Sequence, residues 1–219
     1  MTAIKGYSAE QVRGAEAPHL AVGEPLMQRA AAGLAAEIRN ASPRRVLLLV
    51  GSGNNGADTL YAGAELASEN AEVAILATGS RVNEDAMAAA LKAGASVVDA
   101  AGLASPFDVI VDGILGTGTS ANPALRGEAR AVVAAILPAL SAHPRPLVVA
   151  ADIPSGIDPN DGRVPDPLVL PADVTVTFGA YKAGLLLEPA SRLVGRVVLV
   201  DIGLGPDLDA LTPLVVVRS

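Results

Sequence analysis

Apolar residues gather into short Val-, Ile- and Leu-rich runs, separated by stretches in which Ala and Leu recur at helical spacing. VLLLV (46–50), AEVAILA (71–77), SVVD (96–99), FDVIVDGIL (107–115), PLVVAADIP (146–154), ADVTVTFG (172–179) and GRVVLVDIG (195–203) lack alternating polar positions, as strands buried on both faces do. Between them the pattern predicts helices over 57–69, 84–93 and about 123–140. Ahead of the first of these strands, Ser8-Ala-Glu-Gln11 has capping-box spacing and predicts a helix to about Ala17. Gly23-Glu24-Pro25 opens a second, with Leu26, Met27, Ala30, Leu34, Ala35 and Ile38 on one side. Those apolar sides suit helices that cover the edge of a sheet, with partner contact as the alternative. Alternation of strand and helix implies right-handed crossovers and a parallel arrangement. The expectation is one α/β domain over residues 1–219 with a single sheet, doubly wound and parallel, and two N-terminal helices. Residues 159–171, with four prolines, read as a surface loop.

Composition narrows the function classes. With 51% hydrophobic but only 2% aromatic residues the core is aliphatic, and no aromatic platform exists for stacking single-stranded bases. A net charge of −7 adds a second reason to expect no nucleic-acid partner. There is no cysteine, so thiolate metal sites and disulfides are out, and His19 and His143 alone cannot form a zinc centre. No leader-like segment begins the chain and no uninterrupted apolar stretch approaches about 18 residues, so a cytoplasmic protein without a membrane partner is expected.

The candidate chemistry starts at Gly51-Ser-Gly-Asn-Asn-Gly56, directly after the run 46–50. This G-x-G-x-x-G spacing permits a sharp turn, close approach of a ligand, and an anion at a helix N-terminus. Asn54, Asn55 and Asp58 depart from the ordinary dinucleotide fingerprint, because amides and a carboxylate there call for a polar or cationic partner. Ligands of open parallel sheets bind beyond the carboxyl ends of the strands, and the residues at those ends are polar here. They include Asp112, the loop Gly116-Thr117-Gly118-Thr119-Ser120-Ala121-Asn122, Asp152, Ser155 and Lys182. Oxygen donors from Asn55, Asp112 and Ser155 suit a hard cation. Asp152, between an apolar strand and Pro154-Ser155-Gly156, suits a general acid or base. The glycine- and hydroxyl-rich loop could hold a phosphate without a lysine. There is no P-loop lysine motif and no G-x-S-x-G elbow, and the second strand lacks the acidic terminus of a dehydrogenase. Arg81 could read a 2′-phosphate, which keeps an NADP-dependent oxidoreductase as an alternative.

GSGNNGADTL, VDGILGTG, DIPSGID and VTVTFGAYKAG, in this order, make the chain resemble the NAD(P)H-hydrate epimerase family, also called the YjeF N-terminal domain. The resemblance extends from Ser8 almost to Gly205. It implies a Rossmann-like three-layer α/β/α sandwich with a mostly parallel central sheet, usually dimeric, and an isomerase that interconverts the R and S epimers of NADHX and NADPHX. These are the C6-hydrated forms of the reduced nicotinamide cofactors, which a separate or formerly fused dehydratase then repairs. It places substrate contacts on Asn54, Asn55, Gly56, Ala57 and Asp58, on Gly116 to Asn122 and on Asp152, the catalytic residue. It also places potassium on Asn55, Asp112 and Ser155, and makes Lys182 a further contact. Asp152 would act on both legs of the reaction, with opening of the C6–N bond as a second route. The family's usual N-N-G-G-D-G is Asn54-Asn55-Gly56-Ala57-Asp58-Thr59 here, so two glycines are replaced, by residues that suit the start of a helix. No kinase-like dehydratase domain is expected within 1–219. A non-catalytic nucleotide-binding scaffold of the same fold is the competing class.

Overall fold

In a computed structural model, residues 3–104, 106–118, 122–141 and 143–218 are described. The chain runs β1 (Ala3–Tyr7), α1 (Ala9–Ala21), α2 (Leu26–Arg39), β2 (Arg45–Val50), α3 (Asn54–Ser68), β3 (Glu72–Ala77), α4 (Glu84–Lys92) and β4 (Ser96–Val97). It continues through β5 (Val109–Gly113), α5 (Gly127–Ile136), β6 (Leu147–Ala151), β7 (Val174–Phe178), β8 (Tyr181–Lys182), β9 (Arg196–Val200), α6 (Gly205–Asp209) and β10 (Val215–Arg218).

Seven strands pair in the order β4-β3-β2-β5-β6-β7-β9, every pair parallel. The absence of polar alternation in the strands follows from two covered faces. Val46, Leu48 and Val50 of β2 pack with Leu34, Ile38, Leu60 and Leu66 of α2 and α3, while Leu47 and Leu49 pack with Val132, Val133 and Ile136 of α5. This is the expected three-layer sandwich. The apolar side of α2, with Leu26, Ala30, Leu34, Ala35 and Ile38 buried, is spent on the sheet and on α3, so the covering role fits this helix.

The structure differs from the sequence expectation in its details. A second sheet exists, in the order β10-β1-β8, where one sheet was expected. β1 pairs antiparallel with β10, from Ala3 opposite Arg218 to Gly6 opposite Val215, and parallel with β8, Tyr7 opposite Lys182. The residues that make these strands are few and partly polar, and the pairing joins the two ends of the chain, which no local pattern records. α1 carries the expected capping box, in which the Gln11 backbone N–H donates to Ser8 Oγ at 3.1 Å and the Ser8 N–H to Gln11 Oε1 at 2.9 Å. It runs past Ala17 to Ala21, and His19 in its last turn meets Glu24 and Asp207, both at 2.9 Å. α3 starts at Asn54 rather than Ala57, and α5 starts at Gly127 rather than near Pro123. α5 also gives way at Leu137 to a 3-10 turn containing Pro138, whose missing N–H interrupts the α-helical ladder. The proline-rich stretch is no simple surface loop: Val169 and Leu170 are buried, and Asn160 Oδ1 accepts the Ala9 N–H at 2.9 Å. Among the described residues no helix is long and apolar enough to cross a membrane.

Candidate active site

At the carboxyl ends of β2, β5, β6 and β7 lies a cavity of about 790 Å³. β2 turns at Gly51, where an added Cβ would stand 1.8 Å from the Ile114 carbonyl oxygen, so only glycine fits. Gly56 is as constrained, its Cβ position lying 2.2 Å from the Gly51 carbonyl oxygen. The chain then enters α3 with Gly53 at the N-cap and no capping side chain. Its first N–H groups therefore begin without intrahelical acceptors at the cavity wall. Ala57 and Thr59 are ordinary helical residues in this turn, both buried. Thr59 occupies space that a side chain at Gly113 would need, since a Cβ there would approach Thr59 Oγ1 to 2.1 Å, and its hydroxyl donates to the Asn55 carbonyl at 2.8 Å. The two departures from the glycine pattern thus fit without a left-handed backbone.

Asp112, next to the last residue of β5, is fully buried. Its Oδ1 accepts from Ser155 Oγ at 2.6 Å and from the Ile114 N–H at 3.2 Å, and its Oδ2 from the Ser155 N–H at 2.8 Å. Desolvation pushes its carboxyl above the usual range, against the pull of those hydrogen bonds. Ser155 Oγ in turn accepts the Leu115 N–H at 2.8 Å, and Asn55 Nδ2 donates to the Leu115 carbonyl at 2.9 Å. One network therefore joins Asn55, Asp112 and Ser155 through the loop after β5. Asn55 Oδ1 is buried and has no hydrogen-bond partner. An orphaned amide oxygen beside a carboxylate and a hydroxyl is a donor set that fits a hard monovalent or divalent cation. Among the described residues no group of three His, Cys, Asp or Glu could hold a metal, so a cation here would depend on amide and hydroxyl oxygens beside the single carboxylate of Asp112.

Asp152 follows β6 with φ at +65°, a left-handed conformation that Asp tolerates better than most residues. Its Oδ1 takes an ion-paired hydrogen bond from Lys182 Nζ, and Thr177 Oγ1 stands 3.2 Å from the same oxygen. Lys182 is 2% exposed and also donates to the Phe178 carbonyl at 2.8 Å and to Thr177 Oγ1 at 3.1 Å. The lysine is delivered by β8, which the second sheet pins to β1. Asp58, on α3, lines the same cavity, and burial, with Asp152 and Glu16 adding repulsion, pushes its carboxyl up to about 8.

The cavity is lined by Asn54, Asn55, Asp58, Gly116, Thr117, Gly118, Asn122, Asp152 and Lys182 among the residues singled out in the sequence. Gly56, Ala57, Asp112 and Ser155 lie behind its wall, buried. Thr119, Ser120 and Ala121 lie outside the described residues. Arg81 is exposed and outside the lining, so the 2′-phosphate role drawn for it has no support at this cavity. Among the lining residues that escaped the sequence reading are Glu16 and Arg13. Glu16 on α1 has its carboxyl raised by burial first and by Asp152, with Lys182 and Arg13 opposing. Arg13 donates to the Thr117 carbonyl at 3.1 Å, tying α1 to the loop after β5. Their signal in the sequence was slight, two charges next to the buried side of α1 set by Val12 and Ala15.

The sequence profile of the YjeF-related protein N-terminus matches residues 23–184. A relative from Clavibacter michiganensis, named NAD(P)H-hydrate epimerase, is 54% identical over 96% of this chain and 94% of its own length. In Mycobacterium tuberculosis a bifunctional NAD(P)H-hydrate repair enzyme is 41% identical over 90% of this chain, which corresponds to 41% of that larger protein. The crystal structure of a yeast protein superposes with a TM-score of 0.71 at 19% identity, covering 83% of each chain, and so shares the fold.

Proposed function

The chain belongs to the YjeF-related protein N-terminus family, and on that premise we propose that it is an NAD(P)H-hydrate epimerase, an isomerase interconverting the R and S epimers of NADHX and NADPHX. The observation that carries the mechanism is Asp152, which lines the cavity and is ion-paired to the buried Lys182 at the carboxyl edge of the sheet. A carboxylate in such a pair is ready to take a proton from water adding to C6 of the nicotinamide ring. By microscopic reversibility it returns that proton to the hydroxyl that leaves from the same face. Lys182 orients the carboxylate and compensates its charge where both groups are buried. The first turn of α3 and the loop from Gly116 offer N–H donors for the phosphates of the dinucleotide. Equilibration of the epimers would feed the separate dehydratase that the resemblance implies, and related sequence does occur within larger enzymes named bifunctional NAD(P)H-hydrate repair enzymes.

The residues also fit a potassium ion, which Asn55, Asp112 and Ser155 would hold and which would lend electrostatic support to the loops that line the site. Asn55 Oδ1 is the observation behind this, since a buried acceptor left without a partner is rare. Replacing potassium by lithium is expected to lower the Tm by roughly 3 °C, as loss of a ligand that binds only the folded chain should. An unchanged melting curve across the two salts would argue against the ion.

The reaction itself is tested by chiral separation of NADHX epimers incubated with and without the chain. Starting from one epimer, the protein is expected to bring the mixture to equilibrium far ahead of the spontaneous rate. A mixture that drifts no faster than buffer alone would refute the epimerase reading.

A further inference from the structure

Inversion at one carbon involves two faces of the ring. Water must leave from one and add to the other, and a single fixed carboxylate reaches only the face it lines. Beside Asp152 and Glu16, a further carboxyl stands in the same cavity, carried by a different element. Asp58 projects from α3, which follows β2, whereas Asp152 ends β6, and β5 lies between these two strands in the sheet.

The two carboxyls differ in their surroundings. Asp112, Asp152 and Asp158 are also buried, and each accepts hydrogen bonds. Asp58 is only 9% exposed, yet among the described residues nothing donates to its carboxyl, which is left to the cavity. A largely buried carboxyl with no donor from the fold, open only to the cavity, carries a desolvation penalty, and a ligand in that cavity is its natural partner. The charged groups that face it are Asp152, Glu16 and Lys182, and the lysine is already paired to Asp152.

Building on the epimerase reading, we propose that Asp58 is the second acid–base residue of the reaction, serving the ring face opposite Asp152. In one direction the Asp58 carboxylic acid gives its proton to the C6 hydroxyl. The C6–O bond breaks with its electron pair leaving as water, and the lone pair of the ring nitrogen forms a C6=N bond. A water on the other face then bonds to C6 as Asp152 takes its proton, and the π pair returns to nitrogen. Asp58 ends ionised and Asp152 protonated, which is the starting state for the reverse direction. One proton is shared by the two residues, and no oxidant or reductant is needed.

The experiment uses the full chain and separated NADHX epimers. Asp58→Asn is expected to lower kcat at least 100-fold, within the range for loss of a general acid, with KM changed less than about threefold. Asp58→Glu is expected to recover part of the loss. The wild-type rate should fall above about pH 8, as Asp58 loses its proton, and the residual rate of Asp58→Asn should lack this limb. Melting curves establish that the variants fold, and Asp58→Ser serves the same comparison if the amide does not. Wild type that equilibrates the epimers while Asp58→Asn retains its kcat, or loses activity in KM alone, overturns the role of Asp58 and leaves the epimerase reading standing. Wild type that does not equilibrate them overturns both.

Discussion

Asp152→Asn is expected to slow epimer interconversion by about 10³-fold, as loss of a general base does, and also to destabilise the chain by about 3–5 kcal/mol. The second effect is a consequence of Lys182. Its ammonium is 2% exposed and has one anionic partner, with Thr177 and the Phe178 carbonyl supplying only dipoles. Removing the carboxylate leaves a buried charge uncompensated, which is the expensive way to break such a pair. The backbone at φ +65° should not add to the cost, because Asn accepts the left-handed region as readily as Asp. The double variant Asp152→Asn with Lys182→Met removes the stranded charge and is expected to recover much of the stability while recovering no activity. Urea unfolding and the epimer assay measure the two effects separately. Near-wild-type turnover in Asp152→Asn would remove this residue from the mechanism. Equal stability of the single and double variants would mean that the pair is not what holds Lys182 in place.

Asp112→Ala should lower stability by about 2–4 kcal/mol, because three donors lose their acceptor inside the core. These are the Ser155 hydroxyl, the Ser155 N–H and the Ile114 N–H. Released from Asp112, Ser155 also ceases to fix the Leu115 N–H, and through Leu115 the side chain of Asn55. One deletion thus loosens the loops on both sides of the cavity mouth. The variant is expected to melt at the same temperature in potassium and in lithium, since the proposed cation would lose its carboxylate. Asp112→Asn, which keeps one oxygen acceptor and the shape, should lie between the two. A full salt response in Asp112→Ala would place any bound cation elsewhere.

Much of the layered architecture could be read from local pattern. Strands without polar alternation occur only where both faces are covered, so VLLLV and FDVIV predicted a sandwiched parallel sheet, and Val46 to Val50 are all fully buried. The polar letters at the strand ends pointed to one edge of that sheet for the same topological reason. What failed was non-local. AIKGY mixes polar and apolar residues and VVVR is a short run at the far end of the chain from it, and they acquire the strand state by pairing with each other across the length of the chain. Helix ends were missed where the deciding partner was distant, as with His19 between Glu24 and Asp207 at the end of α1.

The sequence alone determined the family of the chain, its α/β class, and the set of residues from which the site is drawn, because motif letters and apolar periods are local quantities. Only the tertiary structure decided what surrounds those letters. Asp58, Asp112 and Asp152 are the same residue type after three strands, and although local motifs pointed Asp112 to a cation and Asp152 to acid–base work, none of them recorded the partners each carboxyl meets. Folding gives Asp112 three donors and no exposure, gives Asp152 a buried lysine, and leaves Asp58 to the cavity. The chemistry of a carboxyl group follows from what surrounds it, and in this fold those surroundings come from elements far away in the chain: α1, the loop after β5 and the strand that carries Lys182.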